Sequence, residues 1–399
     1  MKNVILITLD AVRKDVFGAY GSKEKLTGFI NSLQDKCLVF TKGQNSGPYT
    51  QASFPGILTS SYYLDYGKPK GLSSSRTLVS EPLKDAGIVT AAFHSNPYIC
   101  GYLGWNRGWD VFYDSMDEEV DPKIPYVRGD VINNKVMTWL SQHVTSIKYD
   151  PFFLWLHYMD VHEPYIPERR YIDMVDPSIS ASNEEMHNLF ENTVMNRDIS
   201  DPAKVSLLKK LYNVHVREID IYTEELFSFL EKQGLLGDCV IVITNDHGDE
   251  FGEHGGLSHD DKMYAELVDM PLFIYGSEEN GFCHKLVSNI DISPTIIALF
   301  DLKPVQNFQG KSLIPLDGYQ EKGCFGEAID QRSVRGGDIE KDVYFYCEHD
   351  LKVIYRANLD NWEMYDLEQD PKELNNIITV SPHADSLKEK LKPRVRRWL

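Results

Sequence analysis

The side chains best equipped for chemistry lie between Cys239 and Tyr264, in CVIVITNDHGDEFGEHGGLSHDDKMY. Within fourteen residues, from Asp246 to His259, the chain places three histidines and several carboxylates in a glycine-rich segment with few apolar side chains. Imidazole and carboxylate together hold transition-metal ions, and histidine also carries protons near neutral pH. An Asp-His pair alone would serve equally well to cap a following helix. The added density of Glu250, Glu253, His254 and His259 argues for a site. Other reactive groups stand in similar settings. Asp10 follows the apolar run Val4 to Thr8, and Asp160 and His162 follow Phe152 to His157. Thr50 and Ser53 occupy NSGPYTQASFPGILT, a loop running into an apolar stretch, where a hydroxyl meets the unpaired amides and positive dipole of a helix start. Taken singly, Asp10 reads equally as an N-cap, the two hydroxyls as turn formers, and His157 as a packing residue or a partner of Asp160.

Buried strands must position these groups. Val240 to Thr244 is a β-branched run without alternation, the pattern of a strand covered on both faces of a parallel sheet. Val4 to Thr8, Val89 to Phe93, Phe152 to His157 and Met270 to Tyr275 are read as further strands. Open α/β sheets carry their chemistry beyond the carboxyl ends of the strands, so Asp10 and Asp246 are expected to face each other from neighbouring tips. A helix ended by Gly87, an amphipathic helix from Leu207 to Gln233 and a helix opened by Asp291, Ser293 and Pro294 should cover the sheet. Residues 172–206 show no clear period and are expected to cross the surface as an excursion or lid. In the loop 97–109, Tyr98, Tyr102, Trp105 and Trp109 either fill space or stack on a ring. Beyond Pro304 to Gly310, short alternating runs at Val343 to Cys347 and Lys352 to Arg356 predict a small antiparallel sheet and a terminal helix. The expected division is a catalytic domain at 1–305 and a C-terminal subdomain at 306–399.

With 42% hydrophobic and 25% charged residues, the composition is that of an ordinary globular chain. The net charge of −19 excludes nonspecific nucleic-acid binding, which needs concentrated Lys and Arg. No run approaches the roughly 18 apolar residues of a membrane span. Six cysteines without paired spacing read as reduced thiols, and MKNVILITLD is too short and too soon charged for a signal peptide, so a cytoplasmic location is expected. The basic ending LKEKLKPRVRRWL reads as a solvated helix end, and nothing excludes a homo-oligomer.

NVILITLDAVRKDVFGAYG resembles the opening strand and metal-binding Asp of the sulfatase family, within the alkaline phosphatase superfamily. PYTQASFPGILTS is similar to that family's nucleophile segment and, aligned on Leu58 and Thr59, puts Thr50 at the nucleophile and Ser53 at the following Ser. FFLWLHYMDVHEPY resembles the block with a substrate-contacting His, here His162. TNDHGDEFGEHGG resembles the second metal block, with Asp246 and His247 as ligands, and SHDDKMYAELVDMPLFIYG places His259 at a substrate-holding position. The resemblance implies an α/β fold with a mostly parallel, alkaline-phosphatase-like central sheet flanked by helices, plus a small C-terminal α+β subdomain. It also implies one divalent ion held by Asp10, Thr50, Asp246 and His247, with a second ion as an option. Such an O3N set suits Zn²⁺ or Mn²⁺ better than Ca²⁺ or Mg²⁺. A divalent ion lowers the pKa of a coordinated hydroxyl and aims it. His162 and His259 would bind the ester oxygens or protonate the leaving group. His254 would assist or complete a second metal site.

Two departures matter. Family sulfatases convert a Cys or Ser to formylglycine, whereas Thr50 would attack directly. The Lys-x-His pair expected after the Ala86-Gly87-Thr90 match is replaced by Ser95 and Asn96, which makes Asn96 a substrate-binding candidate. The leading expectation is therefore hydrolysis of a small-molecule phosphate mono- or diester through Thr50. Sulfuric ester hydrolysis is the alternative. A phospho-group transferase and an inactive binding module are further readings.

Overall fold

The apolar runs assemble into one eight-stranded sheet. In the computed structural model, which describes residues 2–66, 71–144, 150–259, 262–329 and 342–395, its strands are β1 (Asn3–Leu9), β2 (Cys37–Gln44), β3 (Val89–His94), β4 (Val111–Asp114), β5 (Phe152–Tyr158), β6 (Cys239–Asn245), β9 (Asp269–Tyr275) and β10 (Gly281–Ser288). The short hairpin β7 (Glu250–Phe251) and β8 (Leu257–Ser258) lies apart from it. The strand order is β10-β2-β9-β6-β1-β5-β3-β4. β9 runs antiparallel to both neighbours, β2 and β6, and the other pairings are parallel.

Helices clad both faces, which is why the central strands show no alternation. Ile5, Ile7 and Leu9 of β1 join Ile241 and Ile243 of β6 in one core cluster. That cluster receives α1 (Gly28–Ser32), α4 (Gly129–His143), α5 (Arg169–Val175), α6 (Asn183–Leu189) and the long α7 (Pro202–Lys232). Val4, Leu6, Val240 and Val242 point the opposite way, against α2 (Thr50–Thr59), α3 (Ser80–Asp85) and α9 (Ile292–Leu299). Each such aliphatic side chain taken from water contributes about 1.5–3 kcal/mol.

A second sheet, β11 (Cys324–Ile329), β12 (Asp342–Glu348), β13 (Leu351–Arg356) and β14 (Asn361–Asp366), is wholly antiparallel and its residues alternate. Val343, Phe345, Cys347 and Ile354 pack toward Tyr49, Met263 and Tyr264. Tyr344, Tyr346, Val353 and Tyr355 face Leu387 and Leu391 of the closing helix Ala384–Leu391.

Two expectations change. Residues 172–206 are largely helical: α5 and α6 are followed by a π-type turn at Phe190–Met195, and α7 begins at Pro202 rather than Leu207. Caps define these helices where hydrophobic period does not. Ser182 and Glu185 form a capping box, and Asp201 accepts from the amides of Ala203 and Lys204. In the basic ending, of which 396–399 lie outside the described residues, Arg394 is not a solvated end. Its guanidinium lies 4.0 Å from the Tyr62 ring centre, 2.9 Å from Asp65 and 3.3 Å from Glu327.

Candidate active site

Strand register brings the acids together. Leu9 of β1 pairs with Asn245 of β6 on one side and Tyr158 of β5 on the other, so Asp10 and Asp246 leave the sheet at the same level. Thr50, the first residue of α2, arrives from the opposite layer. His247 Nε2 then stands 3.5 Å from each of Asp10 Oδ1, Asp246 Oδ2 and Thr50 Oγ1. All four side chains are buried.

These residues fit a divalent cation. Asp10 Oδ1 and Asp246 Oδ2, the two carboxylate oxygens 3.5 Å from His247 Nε2, are buried without a hydrogen-bond partner, a costly arrangement for a lone carboxylate. Their outer oxygens are occupied. Asp10 Oδ2 meets His157 Nε2 at 3.0 Å and accepts from Asn96 Nδ2 at 2.8 Å, while Asp246 Oδ1 accepts from the amides of Ala11 and His247. Neighbouring ligands are roughly 3.4 Å apart in a tetrahedral site with bonds of about 2.1 Å, and equally in an octahedral one with bonds of about 2.4 Å. Electrostatics agree. Burial, with the Asp10 charge beside it, pushes the Asp246 carboxyl up to about 7. Burial works in the same direction on Asp10, but the His157 hydrogen bond and the nearby imidazoles hold it below the usual carboxylate range. Burial, reinforced by His259, brings His247 down to about 4, which keeps it neutral.

A row of imidazoles continues from this point. The His259 ring centre lies 4.2 Å from that of His247 and 4.9 Å from that of His162. Asp249 Oδ1 meets His259 Nδ1 at 2.7 Å, and Asp249 Oδ2 accepts from the Tyr165 hydroxyl at 2.6 Å. Burial would lower the His259 pKa, but Glu163 and Asp249 raise it to about 10, so this ring is a cation at neutral pH. His162 is raised too, with burial opposed by Glu163 and Asp10, and its Nδ1 lies 2.6 Å from the Glu163 carbonyl. The arrangement can hold an anionic oxygen and donate a proton.

Thr50, Asp10, Asp246, His247, His162, His259 and Asn96 thus converge, with Asn96 Nδ2 also 3.3 Å from Thr50 Oγ1. His254 does not join them. Its Nδ1 meets Glu266 at 2.6 Å, its Nε2 meets the Glu373 carbonyl at 3.1 Å, and its ring stacks on Tyr264. It therefore stands apart from this centre, in a separate group with Glu250 and Glu266 whose ligand atoms lie within 4.8 Å of one another. Ser53 is likewise committed, accepting from Asn289 Nδ2 at 3.0 Å. His157 pairs with Asp10 and Thr8, not with Asp160. Asp160 instead accepts from the Gly129 amide and caps α4. Asp249 and Glu163 are the residues that sequence reasoning missed. Asp249 stands two places after His247 in the block already singled out, and Glu163 adjoins His162.

Comparison with known proteins places this geometry. The family model described as Sulfatase matches residues 2–302, and that described as N-sulphoglucosamine sulphohydrolase, C-terminal, matches residues 252–398. The N-acetylglucosamine-6-O-sulfatase of Bacteroides thetaiotaomicron is 31% identical over 200 residues, which cover 45% of this chain and 33% of that protein. A structure described as a complex with its substrate D-glucosamine-2-N,6-O-disulfate superposes with a TM-score of 0.80 at 19% identity, covering 100% of this chain and 98% of the other. The phosphonate monoester hydrolase of Agrobacterium radiobacter does so with a TM-score of 0.78 at 17% identity, covering 98% and 94%. With the first family model spanning most of its length and the fold shared from end to end, this chain belongs to the sulfatase family of the alkaline phosphatase superfamily.

Proposed function

We propose that this chain is a metal-dependent hydrolase of small sulfuric esters in which Thr50 Oγ1 is the attacking atom. The observation that carries the reading is the placement of His247 Nε2 at 3.5 Å from Asp10, Asp246 and Thr50 oxygens, two of them otherwise unpartnered. The sulfatase relatives favour a sulfuric ester over the phosphate ester expected from sequence. A divalent cation held by Asp10, Asp246, His247 and Thr50 would lower the hydroxyl's pKa and offset charge on the ester oxygens, and the nitrogen donor favours Zn²⁺ or Mn²⁺. Asn96 Nδ2, 3.3 Å from Thr50 Oγ1, stabilises the deprotonated hydroxyl. Attack forms the Thr50 O–S bond as the ester S–O bond breaks. Cationic His259 holds a nonbridging oxygen, and His162 supplies the proton to the departing alcohol. Water then releases sulfate from Thr50. A reducing, cytoplasmic setting belongs to the same proposal, supported by six buried, unpaired cysteines.

A second reading, a phosphate or phosphonate ester substrate, is favoured by one feature: Thr50 cannot become formylglycine, because its Cβ carries a methyl group. Parallel assays of the full chain on 4-nitrophenyl sulfate, 4-nitrophenyl phosphate and a phenylphosphonate ester separate the two. The sulfate ester is expected to turn over fastest. Thr50→Ala should lose at least about a thousandfold in kcat, and a chelator should abolish turnover until Zn²⁺ or Mn²⁺ is restored. Wild-type turnover in Thr50→Ala removes Thr50 from the mechanism, and faster phosphonate or phosphate hydrolysis replaces the first reading by the second.

A further inference from the structure

The four aromatic residues of the loop after β3 part company in the structure. Trp105 and Trp109 are buried, Trp109 stacking on Phe153 and donating its indole N–H to the Trp105 carbonyl at 3.1 Å. Tyr98 is 47% exposed, Tyr102 96%, and Met116 beside them 56%. Together with Pro97, Leu103 and Asp114 these three line a cleft of about 490 Å³. Clustered exposed apolar surface of this kind marks a binding site more often than scattered single residues do.

The cleft is built, and one of its residues, Tyr98, is hydrogen-bonded to Asn96 of the centre. Tyr98 N–H donates to Asn96 Oδ1 at 2.9 Å, while Asn96 Nδ2 reaches Asp10 at 2.8 Å and Thr50 at 3.3 Å. Tyr98 is therefore at most about 7 Å of chain away from a residue in contact with the attacking oxygen. The loop is pinned by the Gly101 amide on Asp114 Oδ2 at 2.7 Å, by the Gly104 amide on the Gly101 carbonyl at 3.0 Å and by the Leu72 amide on the Leu103 carbonyl at 2.7 Å. Tyr102 is thus presented to water from a fixed backbone.

We propose that Tyr98 and Tyr102 form a stacking platform for the alcohol half of the ester, and that this half is an uncharged ring. The inference rests on the hydrolase reading above. Among the described residues that line the cleft there is no lysine or arginine, and the one charged side chain among them, Asp114, carries the amides of Gly101 and Met116. Such a surface repels a polyanionic chain and accepts the flat face of an aryl group or of a pyranose.

The test compares kcat/KM on 4-methylumbelliferyl sulfate, N-acetylglucosamine 6-sulfate and acyclic ethyl sulfate. Replacing both residues (Tyr98→Ala with Tyr102→Ala) should lower the ratio of a ring ester to ethyl sulfate roughly tenfold through KM, and Tyr98→Phe with Tyr102→Phe should keep it. The larger loss identifies aryl or sugar as the preferred ring. Binding of free 4-methylumbelliferone to the full chain, read by fluorescence anisotropy, needs no turnover and should weaken by a similar factor. If no ester is cleaved by any form but that binding weakens, the hydrolase reading falls and the platform stands. If neither the ratio nor the binding changes, the platform is wrong.

Discussion

His259 is fixed by what surrounds it. Asp249 engages its Nδ1 at 2.7 Å and is itself held by the Tyr165 hydroxyl at 2.6 Å, which leaves Nε2 for a ligand. Partners of this second kind typically matter 10–100-fold in site function. Asp249→Asn should therefore lower kcat/KM on a sulfate ester by roughly 10–100-fold while the folded state persists, as circular dichroism will report. Unchanged kinetics would show that His259 needs no such support. Asp249 was legible in the motif as one more carboxylate, but its role was not. A carboxylate two places after His247 reads equally well as a turn former, and only Tyr165, from a distant segment, shows which way it points.

At the level of elements, strand tips aim the site through strained and crowded backbone. Ala11, directly after Asp10, has φ 56°, and Ser258, directly before His259, has φ 63°. Such left-handed conformations cost non-glycine residues on the order of 1 kcal/mol or more and cluster at functional sites. After β6 the constraint is space. A Cβ on Gly248 would come within 2.1 Å of the Glu266 carbonyl, while the Gly248 amide donates to the Leu267 carbonyl at 2.9 Å. Gly248→Ala must push the loop that carries His247 away from α8 (Ala265–Val268). The expected loss is about 1–3 kcal/mol of stability, read as a fall of about 1–4 °C in Tm, together with reduced kcat. A variant with wild-type Tm and kcat would show that the loop yields freely.

At the scale of the whole molecule, the C-terminal sheet braces the loop that bears His259. Glu373 accepts from the Ala265 amide and pairs with the buried Lys352 at 2.9 Å, and the Glu373 carbonyl engages His254. Burial works to lower the His254 pKa, but the Glu266 hydrogen bond and charge lift it above its ordinary value. A group whose folded pKa is raised adds stability that is fully present below its unfolded value of about 6.5 and fades as pH rises through the folded value. His254→Gln should accordingly lower Tm more at pH 6 than at pH 9, by about 1 °C for a contribution of about 1 kcal/mol. An equal shift at both pH values would mean that the charge of His254 contributes nothing.

Local pattern alone determined much of this protein. Unalternating apolar runs announced β1, β5 and β6, because a strand clad on both faces has no polar side to show. The tip residues Asp10, Asp246 and His247 followed from where those runs stop, and the alternating runs of β12 and β13 foretold a sheet with two unlike faces. Tertiary structure decided what pattern leaves degenerate. A hydroxyl near a helix start has one local signature whether it caps or attacks, and only the neighbouring chain separates Thr50, 3.5 Å from His247, from Ser53, taken by Asn289. A histidine among acids has one signature as well. His254 and His259 lie five residues apart in the same glycine-rich segment, yet one bonds to the Glu373 carbonyl and the other faces His247. Their partners come from segments distant in the chain, and a side chain's chemistry is set by the atoms folded around it.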